Sequence, residues 1–269
     1  MEVASSFRRL LAAASATLAL AAPAAASAAP CASPDNLTRA TGAGECLALR
    51  TYGAGGARPV LVVVLHGDVS SGGPARYHLP IAETFANAIP GAVVVALVRP
   101  GYDDGAGGAS SGSNHGRVDQ YTAANIDAVA GAVAALKAHH RAARVVLVGH
   151  SGGAATAGVI LGRHPGVADA AVLVACPCDI ARWREGRRPW SRSESPSTYA
   201  ARVPANTVVS AITGERDDNT QPYLARDYAA SLAARGLRAT ATILPGADHN
   251  AAFRDPAVLA EVTRLARGG

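Results

Sequence analysis

The 269-residue chain is poor in lysine, aromatics and methionine. Lys137 is the single lysine among 25 basic residues, and phenylalanine, tryptophan and tyrosine together make up 4% of the chain. A charge carried almost wholly by arginine, beside abundant alanine and glycine, reads as compositional bias. With few rings for base stacking and no nucleic-acid-binding motif, nucleic acid is excluded as the partner. Glycine and proline number 28 and 16, too few for a low-complexity chain. Cysteine is scarce as well, at four residues, and no histidine or acidic cluster at ligand spacing accompanies them. A metal site is therefore not expected, and no cofactor is called for.

The N-terminus is read separately from the rest. Arg8 and Arg9 precede an Ala/Leu-rich stretch from Leu10 to about Ala22, Pro23 follows, and Ala26-Ser27-Ala28 offers a small-x-small cleavage site. This is the pattern of a cleaved signal peptide over residues 1–28, with an uncleaved membrane anchor as the rival. Pro30 before Cys31, and Ala28 where a leucine-like residue would be needed, argue against lipidation. The expectation is a secreted or periplasmic protein without stable membrane insertion. Losing Glu2, Arg8 and Arg9 with the signal would lower the net charge from +5 to +4. In an oxidising compartment Cys31, Cys46, Cys176 and Cys178 are expected to form disulfides. Three connectivities are open, and in one of them a Cys31–Cys46 bridge would tie down an N-terminal extension over residues 29–45. It would leave Cys176 and Cys178 as a tight loop or a reduced pair, since a bridge across one residue is strained.

From position 46 onward, apolar β-type runs alternate with helical patterns. That alternation specifies one α/β domain over 46–269, with a mostly parallel sheet covered on both faces. Strands are expected at 46–52 (an edge), 60–65, 92–98, 144–148, 170–175, 207–213 and 238–244. Continuous runs such as VLVVVL suit strands buried on both sides. Residues 102–119, rich in Gly, Ser and Asp, read as a long loop. A helix is expected from Val118 to about His139, another after residue 153, a third through Leu224, Tyr228 and Leu232, and a last one opened by Asp255-Pro256. Residues 177–204 carry Pro, Arg, Ser and Trp without clear periodicity and form a possible cap.

Gly149-His150-Ser151-Gly152-Gly153 lies between a buried strand and a helix. Glycines flanking a serine there permit a sharp turn that lifts the hydroxyl above the sheet, so Ser151 is the candidate nucleophile. Gly152, at the helix start, can present its N–H to a developing oxyanion. Serine needs a base. His249 follows the last strand and is the only histidine after His164. The acid should follow the preceding strand, where Asp217 is favoured over its neighbour Asp218, with Glu215 a distant third. His66-Gly67-Asp68 closes the 60–65 strand and is expected to add a second oxyanion N–H from Asp68 or Val69, His66 itself being structural.

These residues make the chain resemble the α/β-hydrolase superfamily over about residues 46–266, most of all secreted esterases and prolyl-oligopeptidase-like catalytic domains. Residues 1–45 hold nothing like the large N-terminal propeller of the peptidases, and no Gly-Gly-Gly run like that of the lipase-like branches follows His66. The resemblance implies a Ser–Asp–His order in the chain, an acyl-serine intermediate and a small ester or peptide as substrate. Ester cleavage is the main reading. A serine peptidase or aminopeptidase and a non-catalytic binding protein are the rivals, and oligomeric state is left open. Arg182, Arg184, Arg187, Arg188 and Arg192 against Glu185 make the cap cationic, which reads first as solvated surface and second as a lure for an anionic substrate. Trp183 and Trp190 line a pocket or pack the cap. Asp103, Asp104 and His115 in the long loop could border the cleft, where the acids would suit an aminopeptidase.

Overall fold

In the computed structural model, which describes Met1, Cys31 and residues 33–269, the valine-rich runs are strands of one eight-stranded sheet. Along the chain the strands are β1 (Arg39–Gly42), β2 (Glu45–Tyr52), β3 (Val60–Leu65), β4 (Val93–Leu97), β5 (Arg144–His150), β6 (Ala170–Val174), β7 (Val208–Gly214) and β8 (Arg238–Leu244). The helices between them are α1 (Leu79–Ala88), α2 (Ala123–His139), α3 (Gly152–Arg163), the single turns α4 (Ile180–Trp183) and α5 (Pro196–Tyr199), then α6 (Pro222–Ala233) and α7 (Pro256–Ala266). The spatial strand order is β1-β2-β4-β3-β5-β6-β7-β8. The two strands at one edge run antiparallel and all pairs from β4 to β8 are parallel. The expected α/β-hydrolase architecture is present.

Alternation along each strand divides the core in two, because successive side chains point to opposite faces. Leu61, Val63 and Leu65 of β3 pack with Leu147, Leu173 and the α2 residues Val129 and Val133. Val62 and Val64, one step out of phase, pack on the other face with Phe85 of α1 and Val258 and Val262 of α7. A strand that must feed both layers has no polar face, which is why these runs are unbroken.

Three elements differ from the sequence reading. β1 lies in the stretch expected to be an N-terminal extension, yet it pairs with β2 through the Ala43-Gly44 turn and takes the sheet edge from β2. Its four residues alternate between half-buried and buried, too short a run to mark a strand in the sequence. α1 has no counterpart in the expectations, although Pro80 and the inward Leu79, Ala82 and Phe85 mark it. α2 begins at Ala123 rather than Val118, because Thr122 accepts the Asn125 N–H as N-cap, while Val118 stays exposed and Tyr121 packs elsewhere.

Disulfides join Cys31 to Cys46 and Cys176 to Cys178, so the second pair is bridged despite its single intervening residue. The expected signal segment lies outside the described residues. Among those described, no helix is long and apolar enough to cross a membrane.

Candidate active site

Ser151 sits where β5 hands over to α3, with φ 53° and ψ −119°. A non-glycine residue held at positive φ is a strained conformation that persists only where its surroundings enforce it. Here they do. A Cβ on Gly149 would lie 2.4 Å from Gly153, and one on Gly153 would lie 2.3 Å from the Leu65 carbonyl. The two glycines let the start of α3 press against β5 and β3, and Ser151 is left to make the bend. The Ser151 N–H donates to the Val174 carbonyl across the neighbouring strand (2.8 Å), which anchors the turn. Gly152 opens α3, so its N–H has no acceptor within the helix.

The base loop and the acid loop meet at the ends of β8 and β7. His249 Nδ1 lies 2.9 Å from Asp217 Oδ2 and 3.1 Å from Oδ1. Asp217 is fully buried and also accepts the Thr220 N–H (2.8 Å), the Thr220 hydroxyl (2.7 Å) and the Asn219 N–H (3.1 Å). A carboxylate held by that many donors keeps its orientation, and it fixes the imidazole with its proton on Nδ1 and its lone pair on Nε2. Of the neighbouring acids, Asp218 is exposed, and Glu215 accepts the Gly246 N–H instead. The geometry therefore selects Asp217 as the partner of His249. Asn219 Nδ2 stands 3.4 Å from His249 Nε2, a contact that sequence reasoning did not find.

A second hydrogen-bond chain runs behind the serine. The Gly67 N–H donates to Tyr77 Oη (2.5 Å), Tyr77 Oη meets His150 Nδ1 (2.7 Å), and His150 Nε2 donates to the His249 carbonyl (3.0 Å). With Nε2 donating, Nδ1 must accept from the phenol. Burial, and then the nearby His249, lower the His150 pKa from 6.5 to about 3, so it stays neutral. Burial likewise keeps Tyr77 a neutral phenol by raising its pKa. His66 is structural as expected: Nδ1 bonds the Gly67 carbonyl (2.6 Å) and Nε2 accepts the Arg99 N–H (2.9 Å).

Asp68 comes close to α3, since a Cβ on Gly152 would lie 2.0 Å from its Oδ1. Its carboxylate faces inward, bonded to Arg99 Nη2 (2.7 Å) and to the Tyr121 hydroxyl (2.6 Å). Burial opposes the charge on Arg99, but Asp68 together with Tyr102 and Tyr121 outweighs it and the guanidinium pKa is raised.

Ser151, Asp68, Val69, Tyr77, His150, Asn219 and His249 all line one cavity of about 680 Å³. Across it lie Trp183, Arg184, Arg187 and Trp190 from the 177–204 segment, which therefore does sit over the site. Trp183 donates to the Asn219 carbonyl (2.8 Å), and Asp119 gathers the N–H groups of Ser191, Arg192 and Ser193. The cap is stitched to the acid loop on one side and to the long loop on the other. Asp103 and Asp104 do not border the cleft. Asp104 pairs with Arg50 (3.0 Å) and accepts N–H groups of its own loop, and Asp103 accepts the Gly105 N–H. The long loop turns them away from Ser151. His115 also lies outside the cavity, against Arg192.

Residues 60–257 match the family model described as serine aminopeptidase, S33. The chain belongs to this α/β-hydrolase family. An esterase from Pyrococcus furiosus aligns with a TM-score of 0.64 at 14% identity, over 85% of this chain and 88% of that one. An esterase from Pyrobaculum calidifontis aligns with a TM-score of 0.62 at 20% identity, over 85% and 82%. A puromycin hydrolase aligns with a TM-score of 0.65 at 18% identity, over 86% of this chain but 38% of that one. At such identities these likenesses establish the fold. Nothing matches among the curated proteins.

Proposed function

We propose that this α/β-hydrolase cleaves carboxylic esters through an acyl-Ser151 intermediate. The observation that carries the reading is one cavity shared by a serine on a strained strand–helix turn and a histidine whose other nitrogen is held by a buried aspartate. In the first half-reaction Ser151 Oγ attacks the ester carbonyl carbon as its proton passes to His249 Nε2. Asp217 stays ionised and stabilises the imidazolium. The N–H of Gly152, with that of Asp68, holds the oxyanion. Collapse of the tetrahedral intermediate breaks the C–O bond, and the alcohol leaves with the proton from His249. Water then repeats the sequence, with His249 as base and then acid, and releases the carboxylic acid.

The family description favours a second reading, an aminopeptidase. Such an enzyme needs a carboxylate free to bind the substrate ammonium. The only acid lining the cavity is Asp68, already engaged by Arg99 and Tyr121, and this supports ester over aminoacyl substrates. The paired cysteines, together with the signal-like N-terminus, support action outside the cytoplasm.

A fluorophosphonate probe and a panel of p-nitrophenyl esters beside aminoacyl anilides test the reading. Labelling and ester turnover in the wild type, both lost in Ser151→Ala, are expected. Equal labelling of Ser151→Ala would remove the nucleophile, and a preference for anilides would replace the esterase with the peptidase.

A further inference from the structure

The cavity over Ser151 has an uneven charge. Arg117, Arg184, Arg187 and Arg254 line it, from the long loop, the cap and the segment after His249. The single acid lining it, Asp68, is spent on buried Arg99. Among the described residues, no carboxylate lies within ion-pair distance of any of the four lining arginines. Two other cap arginines are paired, Arg182 with Asp227 (2.6 Å) and Arg192 with Asp119 (3.5 Å). The cavity wall thus carries four arginine charges with no carboxylate among the described residues to neutralise them.

Arg184 is also built in. Its guanidinium lies 5.3 Å from the centroids of both Trp183 and Trp190, whose rings meet edge to face at 5.0 Å. Its Nε donates to the Arg188 carbonyl (3.0 Å). That leaves the terminal nitrogens as donors on a side chain already fixed by two rings, the arrangement suited to a planar carboxylate. Burial, and then the charge of Arg187, lower the Arg184 pKa, and an incoming anion would offset both. Arg117 is fixed as well, through the Val69 (2.5 Å) and Gly73 (2.7 Å) carbonyls.

We infer that the enzyme selects esters carrying a carboxylate, held by Arg184 and Arg187 between the cap tryptophans and Ser151. The inference rests on the esterase reading for its chemistry. Its recognition step can be measured without turnover. Trp183 and Trp190 are the only tryptophans in the chain. Intrinsic tryptophan fluorescence therefore reports on this wall of the cavity alone.

The experiment has a binding arm and a turnover arm, both on the full mature chain. In the first, phenylacetate is titrated against tryptophan fluorescence beside neutral phenylacetamide. A saturable change for phenylacetate, about tenfold tighter than for the amide, is expected. It should weaken as salt is raised. In the second, kcat/KM is compared for 4-nitrophenyl hemiglutarate against 4-nitrophenyl valerate, and for 4-acetoxybenzoate against phenyl acetate. These pairs place the carboxylate on the acyl or the alcohol side. The charged member of at least one pair should be preferred, and Arg184→Gln with Arg187→Gln should abolish the preference. Arg184→Lys should keep part of it, which separates charge from packing, and Arg188→Gln, outside the cavity, should keep all of it. Equal binding of phenylacetate and phenylacetamide overturns the inference even if esters are cleaved. Discrimination in binding without any turnover upholds the anion site and overturns the esterase reading instead. A preference that survives loss of both arginines also overturns the inference.

Discussion

His150 Nε2 donates to the backbone carbonyl of His249 across 3.0 Å, joining the residue before the candidate nucleophile to the loop that carries its base. Through Tyr77 the same imidazole reaches the Gly67 N–H, so three loops from different parts of the sheet share one hydrogen-bond chain. Hydrogen bonds of this kind set where His249 stands relative to Ser151, which neither residue determines alone.

That chain makes stability depend on pH. His150 has an ordinary pKa of 6.5 unfolded and about 3 folded, because burial, then His249, disfavour its charge. Between these values the unfolded chain binds more protons than the native one. The contribution is complete above 6.5, declines as pH falls, and is lost once pH has passed the folded value. Each such imidazole adds a slope of up to about 1.4 kcal/mol per pH unit, and His66 and His78 are lowered in the same direction by burial. Urea unfolding at several pH values should show stability falling on acidification. His150→Asn should be less stable at neutral pH but flatter by one proton's slope. An unchanged slope would mean that His150 is charged or exposed in the native state.

Asp217 and Asp218 are adjacent in sequence but opposite in placement, the first buried against His249 and the second exposed. Asp217→Asn should lower kcat by about four orders of magnitude by losing the correct imidazole tautomer. Asp218→Asn should stay within about twofold, as surface changes away from a site usually do. Steady-state kinetics on the better ester substrate decide the matter, and a reversed ranking would move the acid role to Asp218.

Residues whose chemistry is local were legible in the sequence. β3 and β8 have the bounds read from the sequence: β3 because burial on both faces writes itself into consecutive residues, and β8 because its threonines and isoleucine mark a strand although most of its side chains are exposed. The placement of Ser151, Asp217 and His249 was legible because each follows a strand at the same rim of a parallel sheet, and that rim is where loops converge. Tyr77, Asn219, Arg117 and Arg254 were not. The first three reach the cavity through loop geometry that depends on contacts tens of residues away, Tyr77 with His150, Arg117 with the Val69 carbonyl and Trp183 with the Asn219 carbonyl, while Arg254 lies just after His249 and carries no motif of its own. Asp103 and Asp104 misled for the same reason in reverse. Their loop is acidic and near the site, but Arg50 of β2 draws Asp104 the other way.

Gly152 is needed for space rather than for backbone freedom. A Cβ there would sit 2.0 Å from Asp68 Oδ1 and 2.7 Å from Tyr121 Oη. Both neighbours are buried and hydrogen-bonded, so they cannot yield cheaply. Gly152→Ala should cost about 1–3 kcal/mol through overpacking. It should also lower kcat by about a hundredfold or more, because the displaced Asp68 segment and the Gly152 N–H are the proposed oxyanion donors. Circular dichroism with urea unfolding separates the two effects. A folded variant with wild-type kcat would refute both the crowding and the oxyanion assignment.

The Asp68–Arg99 pair (2.7 Å) is almost sealed from water, with side chains 9% and 4% exposed. Two buried opposite charges need not stabilise the fold relative to apolar residues of similar size, but removing one strands the other. Asp68→Asn leaves Arg99 facing Tyr102 and Tyr121 without its counter-charge, and Arg99→Met leaves a buried carboxylate with only the Tyr121 hydroxyl. Each single change should cost about 3–5 kcal/mol. The double variant should be less damaged than the two losses added together, by at least about 1 kcal/mol, since the residues are in direct contact. Additive losses in a double-mutant cycle would show that the pair is not coupled. Coupled losses would show that the one acid lining the cavity is held by Arg99, leaving the cavity to its arginines.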